Sequence, residues 1–273
     1  MTDQAIKKIG AVDRKITKWP TELNQNQTDL IAQEVAAALV YNGISHAVMM
    51  VSPTQLTEFA LGFSLTEGII SRAEEIYATE IIECEKGIEV AITMSGESFM
   101  QLKSRRRHLT GRSGCGICGA ESLDHVRAPV TEVTSQFTIS HSAINYATAN
   151  LPAHQPLQKL TGAVHGAAWC DVQGNIIKVC EDVGRHNALD KLIGLLWTAD
   201  ILQQPGFLLI SSRASYEIVQ KAAKAGIAIV AAMSAPTSLA LDVASDAGIT
   251  LVGFSRQHRH IAYTHGQRLT QQG

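Results

Sequence analysis

The first hundred positions alternate between short apolar runs and polar turns. Two apolar runs, Val35 to Tyr41 and Ile44 to Val51, lie on either side of Asn42-Gly43. Asn-Gly between two such runs is the strongest short-range signal for a β-hairpin. The pattern therefore predicts a hairpin over residues 35–51.

A helix is predicted directly after this hairpin. Ser52 is the expected N-cap, with Pro53 at the first helical position and Gln55 at the third, an arrangement typical of helix starts. Apolar residues then recur at helical spacing at positions 56, 59, 60 and 63, so this face is expected to belong to the core. The helix should end near Thr66, before Gly68.

Two more strands are predicted over residues 76–83 and 88–93, with a turn at Lys86-Gly87. A helix from about Glu97 then leads into a glycine-rich segment with two cysteines. Residues 1–27 are mostly polar, and we interpret them as a flexible arm. The first part of the chain is therefore expected to be α+β with antiparallel strand pairs.

The pattern changes in the second half. A helix near 140–150 precedes two strands, over 163–171 and 175–180, and a helix that runs through Trp197. From Phe207 strands and helices alternate: strands over 207–210, 227–233 and 249–252, and helices over 215–225 and 237–247. Alternation of this kind predicts βαβ units and parallel strands covered by helices.

A polar segment, Ala128 to Phe137, contains Pro129 and is the predicted linker between the two parts. It divides the chain into a smaller α+β domain over residues 1–130 and a larger α/β domain over residues 131–273.

Composition narrows the functional classes. The 273 residues are 45% hydrophobic and 18% charged, with a formal net charge of −2, which is ordinary for a globular protein and argues against bulk nucleic-acid binding. The segment Met1 to Trp19 has no apolar signal core, and no apolar run is long enough to span a bilayer. Five cysteines, an odd number, fit a reducing compartment, so a cytoplasmic location is expected.

The first candidate for a reactive site is the pair Cys115 and Cys118, which are separated by two residues and lie among three glycines. The basic run Arg105 to Arg107 lies just upstream, and nearby cations favour the thiolate form of cysteine. Glycine permits unusual backbone angles and leaves little bulk around the sulfurs. We interpret the segment as a mobile, exposed loop that carries sulfur to another molecule.

Other interpretations of the thiol pair stay open. A structural zinc site normally needs four Cys or His ligands, and the remaining cysteines, Cys84, Cys170 and Cys180, stand singly. A thioredoxin-like dithiol pair should follow a strand and open a helix, whereas a helix precedes this pair. The spacing predicts functional thiols without deciding between sulfur transfer and dithiol redox chemistry.

A second site is predicted where the parallel strands end. Polar segments follow three predicted strands: Ser211 to Arg213, Ser234 to Thr237, and Gly253 to Arg259. Ligands of α/β sheets bind at the carboxyl ends of strands, and helix N-termini there attract phosphate. Two arginines and Phe254 in the third segment would suit a phosphorylated nucleotide with a stacked base.

More polar residues are expected near the same sheet edge. His165 and the cluster Glu181, Asp182, Arg185 and His186 could line this cleft, or could form an ion-pair network and a helix cap. Zinc-deaminase chemistry is improbable, because Ala167 stands where the catalytic Glu of a His-x-Glu motif would be.

Several long motifs resemble one known family. They are residues 40–46, 111–119, 181–191, 211–217 and 251–256. Together they resemble the formate dehydrogenase accessory sulfurtransferase family, FdhD, and the likeness runs from about Leu30 to the C-terminus.

The resemblance implies a larger domain similar to the cytidine deaminase fold, a homodimer, and a persulfide mechanism. Cys115 matches the family's persulfide-bearing cysteine, and Cys118 matches its second loop cysteine. Sulfur would come from a cysteine desulfurase and pass to the molybdenum cofactor, bis-molybdopterin guanine dinucleotide, for insertion into apo-formate dehydrogenase. GDP would be an analogue of that ligand.

The family's cofactor-binding segment falls on Phe254, Ser255, Arg256, Gln257, His258 and Arg259. No metal ligand is expected. The alternative functions are a non-catalytic cofactor chaperone and a dithiol reductase.

Overall fold

The computed structural model describes residues 10–17, 19, 27–110, 132–256 and 259–271, with side chains outside 105–110. Its helices are α1 (Leu56–Thr66), α2 (Gly96–Thr110), α3 (His141–Asn150), α4 (Pro156–Thr161), α5 (Arg185–Thr198), α6 (Tyr216–Lys224) and α7 (Ser238–Asp246). Its strands are β1 (Ala11–Ile16), β2 (Gln27–Ala32), β3 (Val35–Tyr41), β4 (Ile44–Val51), β5 (Ile76–Cys84), β6 (Gly87–Met94), β7 (Ile139–Ser140), β8 (His165–Asp171), β9 (Ile176–Asp182), β10 (Gly206–Ile210), β11 (Ile229–Ala232), β12 (Thr250–Arg256), β13 (Arg259–Ala262) and β14 (Leu269–Thr270).

A four-stranded sheet, in the order β4-β3-β6-β5, forms the core of the first part. β3 and β4 form the predicted hairpin around Asn42 and Gly43, which both have positive φ. β5 pairs antiparallel with β6, and β6 lies parallel to β3. Helix α1 covers one face with Phe59, Ala60 and Phe63, as its apolar spacing predicted.

The start of α1 differs from the prediction. Gln55, not Ser52, is the N-cap, and it has left-handed backbone angles without a side-chain capping bond. Ser52 is used elsewhere: its N–H donates to Asp182 Oδ2 (2.9 Å), and its hydroxyl accepts from the N–H of Val183 (3.2 Å). Contacts with a distant part of the chain therefore override the local capping signal.

The interpretation of residues 1–27 as a flexible arm is wrong for the part that the structure describes. Strand β1 pairs antiparallel with β2, from Ala11 opposite Ala32 to Ile16 opposite Gln27. Ala11 is buried against Leu157 and Val164. The exposed polar residues of β1 hide this strand from pattern analysis, because one buried residue anchors it.

The larger sheet has six strands in the order β13-β12-β11-β10-β8-β9. β10, β11 and β12 are parallel and are joined by α6 and α7, so the predicted βαβ units are present. The β8–β9 hairpin and β13 add antiparallel pairs. Gly226 and Gly248 follow α6 and α7 with positive φ, as expected for helix C-termini. The sheet is therefore mixed, and its parallel part is the part that the alternation of strands and helices predicted.

The described part of the predicted linker packs on the larger core. Val133 is 6% exposed, and its N–H donates to the carbonyl of Ala247 (2.8 Å). Residues 132–138 form no helix or strand, but they pack on the larger core. The division at residue 130 itself stays a prediction.

Helix α1 crosses helix α5 at two glycines, and this crossing joins the two cores. A Cβ atom on Gly62 would lie 1.8 Å from the carbonyl oxygen of Asp190. A Cβ atom on Gly194 would lie 2.0 Å from the carbonyl oxygen of Glu58. The two helix backbones therefore touch, and neither position can hold a side chain without separating the helices.

Buried ion pairs lie on each side of the crossing. Lys191 Nζ lies 2.6 Å from Asp182 Oδ2, and both side chains are fully buried. Lys221 Nζ lies 2.7 Å from Glu67 and 3.0 Å from Asp190. The Lys191 ammonium also donates to the carbonyl of Ser52 (2.9 Å). Through Ser52 and Glu67, the two lysines thus connect the first 70 residues to the second half of the chain.

We expect Gly194→Ala to lower the free energy of unfolding by about 3 kcal/mol, because overpacking a tight contact costs about this much. Urea unfolding measures the change. Gly96→Ala is the matched control, since a Cβ there has no neighbour within 4 Å. Equal stability of the two variants would contradict the close crossing.

Candidate functional site

The three polar segments predicted at strand ends do lie side by side. Ile210 is paired with Ala232, and Ala231 with Val252, so β10, β11 and β12 approach the same edge. Beyond the strands, Ala214 bridges Pro236. We call this the carboxyl edge; its segments are residues 211–215, 233–237 and 253–256.

Several hydroxyl groups at this edge serve the fold. Ser211 Oγ accepts from the N–H of Gly166 (2.9 Å). Thr237 Oγ1 caps α7 by accepting from the N–H of Ala240 (3.3 Å), and buried Ser212 donates to the carbonyl of Arg213 (3.1 Å). All three hydroxyl groups are therefore used by the fold, and of these only that of Thr237 caps a helix.

The hairpin β12–β13 carries the predicted cofactor segment. Arg256 and Arg259 are register partners across it, and both side chains are exposed. Neither forms a salt bridge with a residue that the structure describes. The two guanidinium groups are therefore available to one anionic ligand. Gln257 and His258 lie outside the described residues.

The backbone before these arginines is tightly constrained. Phe254 has a φ of 50°, which is uncommon for a residue with a side chain. Its N–H donates to the carbonyl of Ser234 (3.1 Å). A Cβ on Gly253 would lie 2.7 Å from Pro236 Cδ, so glycine is required for this close approach. The backbone of half-buried Phe254 is thus held in place.

Side chains of helix α3 contact the hairpin β12–β13 and anchor it. Ser255 is fully buried, and its hydroxyl lies 2.6 Å from that of Thr148. The ring of His260 stacks on that of His141, with centroids 4.7 Å apart, and its Nδ1 lies 3.1 Å from Asn145 Oδ1. Ser255 therefore faces the protein interior.

The contacts from α3 were not predicted. Thr148 is separated from Ser255 by 107 residues, and neither residue carries a local signal. Burial, then the neighbouring His141, lowers the pKa of His260.

Glu181 and Asp182 do not line the cleft, contrary to one interpretation of their cluster. Glu181 accepts hydrogen bonds from the N–H groups of Leu157 (2.9 Å) and Gln158 (2.8 Å), and so caps α4. Asp182 is paired with Lys191. Both carboxylates are used by the fold.

His165 and His186 remain at the carboxyl edge. His165 begins β8 and lies opposite Asp182 in the ladder. Burial, then the charge of Arg185, lowers the pKa of His165. The same two causes lower the pKa of His186 to about 4, although its Nε2 lies 3.6 Å from Glu217.

The two buried cysteines, Cys170 and Cys180, are not activated. Burial raises the pKa of Cys180 to about 12 and raises that of Cys170 further. Cys84 is exposed and stands alone. Cys115 and Cys118 lie outside the described residues.

The fold and the site together define a mixed α/β protein with two cores and an arginine-bearing hairpin at the carboxyl edge of the larger sheet. None of the described helices is long and apolar enough to cross a bilayer.

The chain belongs to the FdhD/NarQ family, whose model matches residues 32–270. It is 48% identical over 254 residues to a protein of Cupriavidus necator named sulfur carrier protein FdhD, covering 93% of this chain and 88% of the relative. Its structure is similar to the crystal structure of a protein from Desulfotalea psychrophila named as a formate dehydrogenase accessory protein. The TM-score is 0.72 and the identity 25%, over 96% of this chain and 100% of the other.

We expect the stability of the protein to fall as the pH decreases from 6.5 to 4, and His186 to cause part of the loss. The unfolded side chain binds a proton near pH 6.5, whereas the folded one does so near pH 4. The stabilising contribution is therefore complete above pH 6.5 and disappears through this window.

Urea unfolding at pH 7.0 and 5.0 tests this expectation. His186→Gln should show a smaller difference between the two pH values than the wild type, and the exposed residue His154 provides the control variant, His154→Gln. Identical pH dependence in all three proteins would be inconsistent with a buried neutral His186.

Proposed function

We propose that this chain is a sulfurtransferase that serves formate dehydrogenase. It accepts persulfide sulfur from a cysteine desulfurase on Cys115 and passes it to the molybdenum cofactor, bis-molybdopterin guanine dinucleotide. The observation that carries the proposal is the 48% identity, over nearly the whole chain, to a relative named as a sulfur carrier protein.

The protonation states of the other cysteines support this choice of thiol. A thiol must be deprotonated to attack a persulfide. Cys170 and Cys180 stay protonated near neutral pH, because burial raises the pKa of both. Neither can therefore compete for the sulfur. Cys115 and Cys118 are the thiols that combine close spacing with an upstream run of arginines.

The transfer has two steps. The Cys115 thiolate attacks the outer sulfur of the desulfurase persulfide, forms Cys115–S–SH after proton uptake, and releases the desulfurase thiolate. The Cys118 thiolate then attacks the inner sulfur of the persulfide and expels hydrosulfide to the cofactor. This step leaves a Cys115–Cys118 disulfide, which a cellular dithiol must reduce.

The hairpin β12–β13 supports binding of the cofactor's nucleotide. Arg256 and Arg259 place two exposed guanidinium groups opposite each other, and arginine binds phosphate oxygens through paired N–H groups. Phe254 precedes them on a constrained backbone and offers an aromatic ring for the guanine base. A guanine dinucleotide would use all three side chains.

The same proposal includes the cellular setting. We infer that the protein works in the cytoplasm as a homodimer, and that the larger sheet is cytidine deaminase-like. The partners are a cysteine desulfurase and the apoenzyme of formate dehydrogenase.

Incubation with a cysteine desulfurase and cysteine should add one sulfur atom to Cys115, seen by mass spectrometry of peptides. Cys115→Ala should abolish activation of formate dehydrogenase, whereas Cys84→Ala should retain it. Full activation by Cys115→Ala would favour a cofactor chaperone. Reduction of protein disulfides without sulfur loading would favour a dithiol reductase.

GDP should bind at the hairpin, and Arg256→Ala should weaken that binding about tenfold, because a charge-assisted phosphate contact is lost. Isothermal titration calorimetry measures the affinity. Arg72→Ala is the control, since this arginine is 77% exposed and lies beside the smaller sheet. An unchanged affinity for Arg256→Ala would remove Arg256 from the site.

A further inference from the structure

A second group of basic side chains lies at the carboxyl edge, beside the β8–β9 hairpin. His165 begins β8, while Arg185 and His186 open α5 directly after β9. Ser215, at the N-cap of α6, lies 3.3 Å from His186 Nε2. These side chains come from three different elements and meet at one edge.

Arg185 is the unusual member of this group. Its Nε is buried and has no hydrogen-bond partner in the part of the chain that the structure describes. The guanidinium forms no salt bridge with any residue in the described ranges. A buried donor without an acceptor costs free energy, and the cost is larger when the group is charged. An acceptor supplied by a ligand would remove that cost.

The neighbouring carboxylates do not satisfy Arg185, because each has another partner. Asp182 lies 2.6 Å from Lys191 Nζ and also accepts from the N–H of Gly184 (2.8 Å). Glu217 Oε2 lies 3.6 Å from His186. Lys191 therefore neutralises Asp182, whereas Glu217 keeps its charge beside a neutral His186 without forming a salt bridge to Arg185 within the described ranges.

The N-terminus of α5 contributes positive potential at the same place. Its N-cap is Gly184, which offers no side-chain acceptor. In contrast, Ser140 and Thr237 cap α3 and α7 with their own hydroxyls. Free N–H groups and the helix dipole favour an anion at such an end.

We propose that Arg185, His165 and His186, with the N-terminus of α5, form a second oxyanion subsite that binds a phosphate group. It is distinct from the hairpin site, because β8 and β12 are three strand spacings, about 14 Å, apart. Two phosphate-binding points at this separation suit one extended ligand. As far as that ligand is a dinucleotide, the inference rests on the proposed function.

Binding at this subsite should be linked to proton uptake. The charge of Arg185 disfavours protonation of both histidines, Asp182 favours protonation of His165, and at His186 Glu217 favours it while Lys221 opposes it. An oxyanion would offset the charge of Arg185 and let a histidine accept a proton. Affinity should therefore rise as the pH falls from 8 to 6.

The test uses inorganic pyrophosphate and the Arg256→Ala protein, in which the hairpin site is weakened. Calorimetry should detect pyrophosphate binding, and adding Arg185→Gln should weaken it at least tenfold. Arg185→Lys keeps the charge but loses the planar set of donors, so an intermediate loss, about threefold, is expected. Thermal unfolding of each variant checks its fold. If Arg185→Gln does not fold, the pyrophosphate affinity of Arg185→Lys provides the test.

A second measurement uses sulfate, whose charge is constant between pH 6 and 8. Sulfate should bind more tightly at pH 6 in the wild type, and His186→Gln should reduce the difference. Pyrophosphate affinity that is unaffected by both Arg185 substitutions would overturn the proposal, as would a folded Arg256→Ala protein that binds no pyrophosphate. If GDP binding by the wild type and sulfur loading of Cys115 persist in that case, the proposed function survives.

Discussion

The structure depends on the contact between helices α1 and α5, where Gly62 and Gly194 allow the two backbones to touch. This contact fixes the core of the first sheet against the core of the second. The buried ion pairs of Lys191 and Lys221 surround it. Breaking such a pair leaves an uncompensated buried charge, which is strongly destabilising. The two halves are therefore held in one relative position by both shape and charge.

This arrangement also determines which groups remain for ligands. Two carboxylates near the carboxyl edge, Glu181 and Asp182, are used to cap α4 and to pair with Lys191. The arginines at the same edge, Arg185 and Arg256, have no such partner among the described residues. Interior contacts thus remove these two negative charges from the edge and leave the two arginines without a paired carboxylate, although the chain as a whole is slightly acidic. An anionic ligand is favoured there for electrostatic reasons.

Local patterns predicted most elements, because the signals for hairpins, βαβ units and helix ends depend on neighbouring residues. They failed where a distant partner decides the structure. Ser52 has the sequence of an N-cap, yet Asp182 and Lys191 take its backbone groups. Ala11 lies in a polar stretch, yet its burial against Leu157 and Val164 anchors strand β1. Gly62 lies inside a helical pattern, and such a glycine was a signal for close packing that was not used.

The candidate site was also predicted only in part: its place on the sheet was predicted, but the burial of its individual residues was not. Strand ends and helix starts placed Phe254, Arg256 and Arg259 at the correct edge, because sheet topology alone brings such ends together. The exposure of side chains differs within that segment: the arginines face solvent, while Ser255 faces Thr148. A residue on a strand can anchor the hairpin only by pointing away from the ligand side. Buried Ser255 and the exposed arginines thus give the segment two roles, and the exposed cations are the part that recognition of a phosphate requires.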